Sequence, residues 1–449
     1  MTGLLLTPGI KFFITVVGLV YFSVSFLNVG VGLVIMSLAM LFSPEFPLGY
    51  IGERAITVRV EDLMIPLLLM AWLGRRAVHR DSQLLAPGPL NRPIFLILAM
   101  DILSTVWGIT QGWTFQLSSI FYFLKTVEFF LIFFLVVNYV RTLKQIKFFL
   151  FFSLLTVVML GIYALSEIPH NEVFSDFRIT APFEGTPEPA TIGGYMAFLL
   201  LIIVCLFLYE KRPLGKWLYG VIGLVTFLPF LFTLNRTSYI AFSVGLLFIA
   251  VTVRRKWFSF FLIFFFLSSP LWIPHSIKER IAYTWEDAVN PGREWGVDQS
   301  TQERINTYRK MWNTWKYSPV IGCGLGSYDF LDSQYARTLH EIGIVGLGIW
   351  LWAFFRLFRI SRWLFKTLPD GALKGMTLGY SAGIIGILLH CFGTITFYIV
   401  RIMEPFWFMS GLVVSLYFVT VGQMKEQEER ENEEGREEEG PVVSEPVTV

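Results

Sequence analysis

Pro189-Ala-Thr-Ile-Gly-Gly-Tyr-Met-Ala-Phe-Leu-Leu-Leu-Ile-Ile-Val-Cys-Leu-Phe-Leu208 contains no charged side chain. A helix needs about 20 apolar residues to cross the hydrocarbon of a bilayer, and this run has that length. Similar runs recur near 10–27, 29–43, 60–74, 93–109, 116–138, 146–167, 217–234, 237–252, 257–273, 340–358, 374–396 and 403–421. They amount to about 12 or 13 spans, the first two being short enough to form one bent unit. The composition agrees. Of the residues, 54% are hydrophobic and 17% aromatic, and only 16% are charged, against roughly 25% in a soluble domain. The mean hydropathy is +0.59. A soluble fold cannot hide so much apolar surface behind so few charges. An ordinary cytosolic enzyme, a disordered chain and a secreted disulfide scaffold are thereby excluded. The expected fold is an all-α, polytopic transmembrane helix bundle with one large helical extracytoplasmic loop.

Charge sets the expected orientation. Arg75, Arg76, Arg80 and Arg92, then Arg141, Lys144 and Lys147, then Lys211, Arg212 and Lys216 fall on every second loop. Arg254, Arg255 and Lys256, then Arg356, Arg359, Arg362 and Lys366 continue the alternation. These loops are expected in the cytoplasm. The formal net charge of +2 conceals an asymmetry, for residues 425–449 carry ten acids and three bases. A stretch so charged and without an apolar face reads as a disordered cytoplasmic tail. The expected organisation is helices over 1–273, an outward loop over 274–339, further helices over 340–421 and the tail over 422–449. The N-terminal apolar run has no small-residue cleavage site and reads as a retained helix. Cys205, Cys323 and Cys391 lack metal-ligand spacing.

The opposite side receives residues 168–188, a short turn at 234–237 and the long segment 274–339. Loops beyond about 15 residues are uncommon unless functional. Ser300-Thr-Gln-Glu303 has the form of a capping box, and the helix it opens should end before Pro319. Ile305, Tyr308, Trp312 and Trp315 recur on one face of it. Pro319-Val-Ile-Gly322-Cys-Gly324-Leu-Gly326 matches neither a dinucleotide fingerprint nor a P-loop, leaving a tight turn or a phosphate cradle. Arg236 stands between two spans with almost no loop. A charge in hydrocarbon costs about 2.5–3.5 kcal/mol, so it should face protein, water or the headgroups. Arg178 and Arg304 lie on the same side. Three arginines on one cavity would form a fixed cationic site for phosphate or diphosphate. Lys125 and Glu128 read as a self-neutralising pair, and Asp101 has no visible partner. His390 reads as a satisfied core residue. His340-Glu341 lacks the second His of a zinc-protease helix.

Taken in order, these segments resemble the O-antigen ligase / O-antigen polymerase family of bacterial membrane glycosyltransferases. The resemblance rests on Thr233-Leu-Asn235-Arg236-Thr-Ser238, on Arg304 ahead of Met311-Trp312, and on Pro319 with Gly322-Cys-Gly324-Leu-Gly326. It rests also on Asp332-Ser-Gln334-Tyr335, on Glu341-Ile-Gly343-Ile-Val-Gly346, and on Arg178 through Pro187. It implies an undecaprenyl-diphosphate-linked glycan donor and, as acceptor, a second lipid-linked glycan or lipid A-core. The site would face outward from the bacterial inner membrane. Arg236, Arg304 and Asp332 would be catalytic, with Arg178, Gln334, Tyr335, Glu341, Gly322 and Gly324 binding diphosphate or glycan. A diphosphate leaves as a stable anion that arginines can hold, so neither metal nor cofactor is expected, and no nucleic acid is implied. Ligase members carry His-Asn where Asp332-Ser333 stands here, which leaves Asp332, Glu341 or His340 as base and inclines the reading toward a polymerase. A lipid-linked oligosaccharide flippase and a protein O-oligosaccharyltransferase are the alternatives.

Overall fold

The computed structural model describes residues 8–51, 54–78, 86–168, 178–184, 188–272, 278, 299–327 and 333–438. Its helices are α1 (Pro8–Leu27), α2 (Val29–Phe42), α3 (Val60–Val78), α4 (Asn91–Thr110), α5 (Gln116–Tyr139), α6 (Leu143–Ser166) and α7 (Pro189–Tyr209). They continue with α8 (Pro213–Leu231), α9 (Arg236–Val253), α10 (Lys256–Trp272), α11 (Gln299–Trp315), α12 (Gln334–Thr367), α13 (Ala372–His390) and α14 (Val400–Glu438). Nine of the described helices are long and apolar enough to cross a membrane, and α1, α2 and α10 hold shorter apolar stretches. The chain is an all-α, multi-pass membrane helix bundle. One departure is an antiparallel hairpin of β1 (Glu45–Ile51) and β2 (Arg54–Arg59), with Glu45 opposite Arg59.

The charge-free run at 189–208 becomes the centre of the bundle. α7 is buried along nearly its whole length and packs on α13, α9 and α8. Gly375, Gly379 and Gly383 repeat every four residues on α13, and a Cβ on them would lie 2.6 Å from the Cys205 carbonyl, 2.4 Å from the Ile202 Cα and 2.5 Å from the Phe198 ring. Lipid offers no hydrophobic drive between helices, so small residues that let backbones touch hold them together. α10, by contrast, leaves Phe260, Phe261, Phe264 and Leu267 exposed, as a lipid-facing helix must.

The basic clusters gather at one end. Arg255 donates to the Leu208 carbonyl at 3.1 Å, Arg362 to Thr252 at 3.4 Å, and Arg356 to the Pro89 carbonyl. The opposite end holds the hairpin, residues 178–184, α11 and the connections 232–235, 316–327 and 391–399.

Four expectations change. The first two runs are separate helices, because the Asn28 side chain caps α2 by accepting from Gly30 N at 2.9 Å. α11 begins at Gln299, so Ser300 lies inside its first turn and not ahead of it. Residues 422–438 continue α14, which runs through Glu438 with exposed side chains over 423–434. Glu, Gln, Lys and Arg are good helix formers, and the span supplies the nucleus that an isolated tail would lack. The run at 340–358 belongs to a longer helix, α12, broken at Gly343 with φ 68° and ψ −174°.

That break makes room for residues 319–326. Ile344 N donates to the Pro319 carbonyl at 3.0 Å, and a Cβ on Gly343 would lie 2.2 Å from the Val320 carbonyl oxygen. A Gly343→Ala variant combines left-handed strain with a backbone clash and should lose about 1–3 kcal/mol or more of stability. A lowered thermal midpoint in detergent is the expected result; an unchanged one would contradict the geometry.

Candidate active site

The turn Thr233-Leu-Asn235-Arg236 reverses the chain between α8 and α9. Asn235 caps α9, its Oδ1 accepting from Ser238 N at 2.9 Å and from Ser238 Oγ at 3.0 Å. Arg236 is the first helical residue and is half-buried. Ser238 Oγ lies 3.2 Å from His390 Nε2, and His390 Nδ1 lies 2.9 Å from Thr396 Oγ1. His390 is therefore the satisfied core histidine that the sequence suggests, and it ties the turn to the 391–399 connection.

Arg304 reaches the same place from α11. Its guanidinium carbon is 3.3 Å from where a Cβ on Gly393 would stand, and Thr237 Oγ1 is 2.7 Å from that point. A side chain at 393 would crowd both the guanidinium and Thr237. Arg178 arrives by the backbone. Ile179 N donates to the Phe232 carbonyl at 3.1 Å, which lays the Arg178 segment across the end of α8, four residues before Arg236. Arg178 itself is exposed. Arg178, Arg236 and Arg304 thus share one end of the bundle around one turn.

Asp332 lies outside the described residues. Its neighbour Ser333 is buried, with Oγ 2.6 Å from Tyr308 Oη, and Tyr308 sits one turn along α11 from Arg304. Burial holds the Tyr308 hydroxyl above the ordinary tyrosine range, so it remains protonated at neutral pH. Gln334 and Tyr335 are engaged within the protein. Gln334 N donates to the Cys391 carbonyl and its Oε1 accepts from Phe397 N, both at 2.9 Å. Tyr335 Oη donates to the Leu388 carbonyl at 2.6 Å.

Glu341 belongs to a second, deeper group. Arg337 Nε meets Glu341 Oε1 at 2.9 Å, Tyr398 Oη donates to Oε2 at 2.5 Å, and Gly326 N donates to Oε1 at 3.0 Å. The Arg337 guanidinium lies 3.8 Å from the Tyr398 ring centre and 4.6 Å from that of Tyr122. Asp101, Gln334, Thr338 and Glu341 line a small cavity there. Burial, with the Glu341 charge beside it, keeps the Tyr398 hydroxyl well above its ordinary range, so it serves as a neutral donor.

The glycine segment is a turn, and its amides are spent. Gly322 N donates to the Ser318 carbonyl at 2.9 Å, Cys323 N to His340 at 2.8 Å and Gly324 N to Glu341 at 2.9 Å. Gly108 on α4 packs so closely that a Cβ there would lie 2.0 Å from the Cys323 carbonyl oxygen. Gly322 and Gly324 therefore join α4 to the break in α12, and their N–H groups do not point at a ligand. His340 is buried with Nδ1 3.1 Å from Thr314 Oγ1.

Arg337 and Tyr398 are additions to the residues expected from the sequence, and Tyr308 takes a polar role beyond its apolar face. Arg337 stands four residues before Glu341 on one helix, a readable ion-pair spacing. Tyr308 was read only as part of an apolar face; that face is Tyr308, Met311 and Trp315 against Ala336, while Trp312 is exposed. No local pattern marks Tyr398, which reaches Glu341 only through the return of the chain after α13.

Residues 222–351, from the middle of α8 to just beyond the break in α12, match the O-antigen ligase family. The chain carries an O-antigen ligase family domain. No curated protein matches the chain. The matched stretch contains Arg236, Arg304, Gly322, Gly324, Gln334, Tyr335 and Glu341, and it spans Asp332; Arg178 lies outside it. The elements that complete the O-antigen ligase domain's surroundings, Gly393, His390 and Tyr398, come from beyond its C-terminal boundary.

Proposed function

We propose that this protein is a membrane glycosyltransferase. It takes a glycan from an undecaprenyl-diphosphate-linked donor on the outer side of the bacterial inner membrane and passes it to a hydroxyl acceptor. The observation that carries this reading is the seat of Arg304 against Gly393, beside Thr237 and next in sequence to Arg236, inside the family-matched stretch. The position of this group at the end away from the basic loops supports an outward-facing site.

In this reaction the acceptor oxygen forms a bond to the anomeric carbon while the bond from that carbon to the diphosphate oxygen breaks. The electron pair leaves on the diphosphate. Arg236 and Arg304 stabilise the charge that develops there, and Arg178, exposed at the rim, draws in the anionic donor. Asp332 takes the acceptor proton as general base. Tyr308 joins Ser333, the residue after Asp332, to α11. Gln334, Tyr335, Glu341, Gly322 and Gly324 act from behind, fixing the connections that carry the reacting groups. No step in this scheme draws on a metal.

The test is a reconstitution. Purified protein is incubated with a lipid-diphosphate oligosaccharide, with and without lipid A-core and without added metal. Longer lipid-linked chains formed from donor alone indicate a polymerase; transfer that requires lipid A-core indicates a ligase. An Asp332→Asn variant should transfer at least about a hundredfold more slowly than wild type. Wild-type turnover in that variant would remove Asp332 from the chemistry, and no product from any acceptor would count against the whole reading.

A further inference from the structure

A second set of charges lies under the β1–β2 hairpin, apart from the arginine group. Arg59 pairs with Glu45 and stands 4.0 Å from Glu61. Lys125 pairs with Asp62 and, at 3.0 Å, with Glu128. Arg401 stands 3.9 Å from Glu45 and donates to the Ser43 carbonyl at 3.2 Å. Glu404, one turn further along α14, is different. It is 0% exposed, and neither of its carboxylate oxygens has a hydrogen-bond partner.

Glu404 is aimed at two other carboxylates. Glu61, Asp62 and Glu404 each place an oxygen within 4.8 Å of the others. Glu61 is fixed from behind by Ser43 Oγ, which donates to its Oε2, and its Oε1 has no hydrogen bond. The ion pairs do not balance the set. Among the described residues, the carboxylates Glu45, Glu61, Asp62, Glu128 and Glu404 face the three cations Arg59, Lys125 and Arg401, a surplus of two negative charges when all are ionised. Burying an uncompensated carboxylate costs several kcal/mol, so a proton or a bound cation must offset that charge.

We propose that Glu61, Asp62 and Glu404 bind one hard divalent cation of the size of Ca²⁺. The donors are all carboxylate oxygens, which suits Ca²⁺ or Mg²⁺ and not a metal that prefers nitrogen or sulfur. Ca²⁺, with oxygens at about 2.4 Å, accommodates every separation up to the 4.8 Å within which these oxygens lie, and Mg²⁺ only those below about 4.2 Å. The ion cancels the surplus charge and ties the first turn of α3 to the first turns of α14. It thereby braces the segment after the 391–399 connection, against which Arg304 is seated.

The experiment measures Ca²⁺ alone. The full chain is purified in detergent, stripped with chelator and dialysed against Ca²⁺, with bound ion and thermal midpoint as readouts. One Ca²⁺ per chain with saturation, a raised midpoint and weaker binding of Mg²⁺ are expected. Glu404→Gln should weaken Ca²⁺ binding by about tenfold or more, since it removes a direct ligand. If that variant fails to fold, the stoichiometry and midpoint shift of the wild type decide. Failure of the wild type to bind one Ca²⁺ overturns the proposal. So does binding that Glu404→Gln leaves unchanged, which would place the ion on the exposed acidic helix after residue 424. Neither readout depends on glycan transfer, so failure here leaves the proposed reaction standing.

Discussion

Arg304→Ala is expected to reduce glycan transfer by about 10²–10³-fold while the protein still inserts and folds. The guanidinium is seated directly against Gly393 of the 391–399 connection, beside Thr237 in the Asn235–Ser238 turn. Preorganised donors aimed at a developing charge act most strongly where water is scarce, and Arg304 is half-buried. Alanine deletes the charge and the fork of donors together. Arg304→Lys keeps the charge without the planar fork and should recover part of the rate. Because the residue also fills space against Gly393, both variants are compared in thermal midpoint before rates are read. An Arg304→Ala enzyme that transfers glycan at the wild-type rate would dismiss the arginine group as a leaving-group site.

The largest loss of stability is expected from Arg337→Ala. It leaves Glu341, 1% exposed, with a buried charge held by two neutral donors, Tyr398 Oη and Gly326 N, and no guanidinium. Removing one partner of a buried pair costs about 3–5 kcal/mol, because the other remains uncompensated. The same change strips two aromatic rings of a cation at 3.8 and 4.6 Å. Converting both members, Arg337→Met with Glu341→Gln, should be milder than Arg337→Ala alone, since no orphan charge is left. Thermal unfolding in detergent of the single and double variants closes the cycle. If the single variant melts with the wild type, Arg337 and Glu341 do not hold the glycine segment to α12.

The two groups explain why the candidate residues do different work. The segments that carry Arg178, Arg236 and Arg304 come together around the α8–α9 turn. Gly322, Gly324 and Glu341 lie behind them, in a backbone joint between α4 and α12. Gln334 bridges the two through Cys391 and Phe397.

Much of this was legible in the chain itself. Charge-free runs such as 189–208 determine a membrane bundle, because no soluble fold could hide them. Basic residues on every second loop determine which helix ends lie together. Arg236 was visible as a charge between two spans, and Arg304 as a charge on a helix with an aromatic face. Such signals are local: each depends on a residue and its near neighbours along one helix or loop. The β-hairpin, the break at Gly343, the pairing of Arg337 with Tyr398 and the convergence of Glu61 with Glu404 had no such signal. They were decided by tertiary packing, where helices far apart in the chain meet and each buried charge must find a partner from whichever element lies beside it.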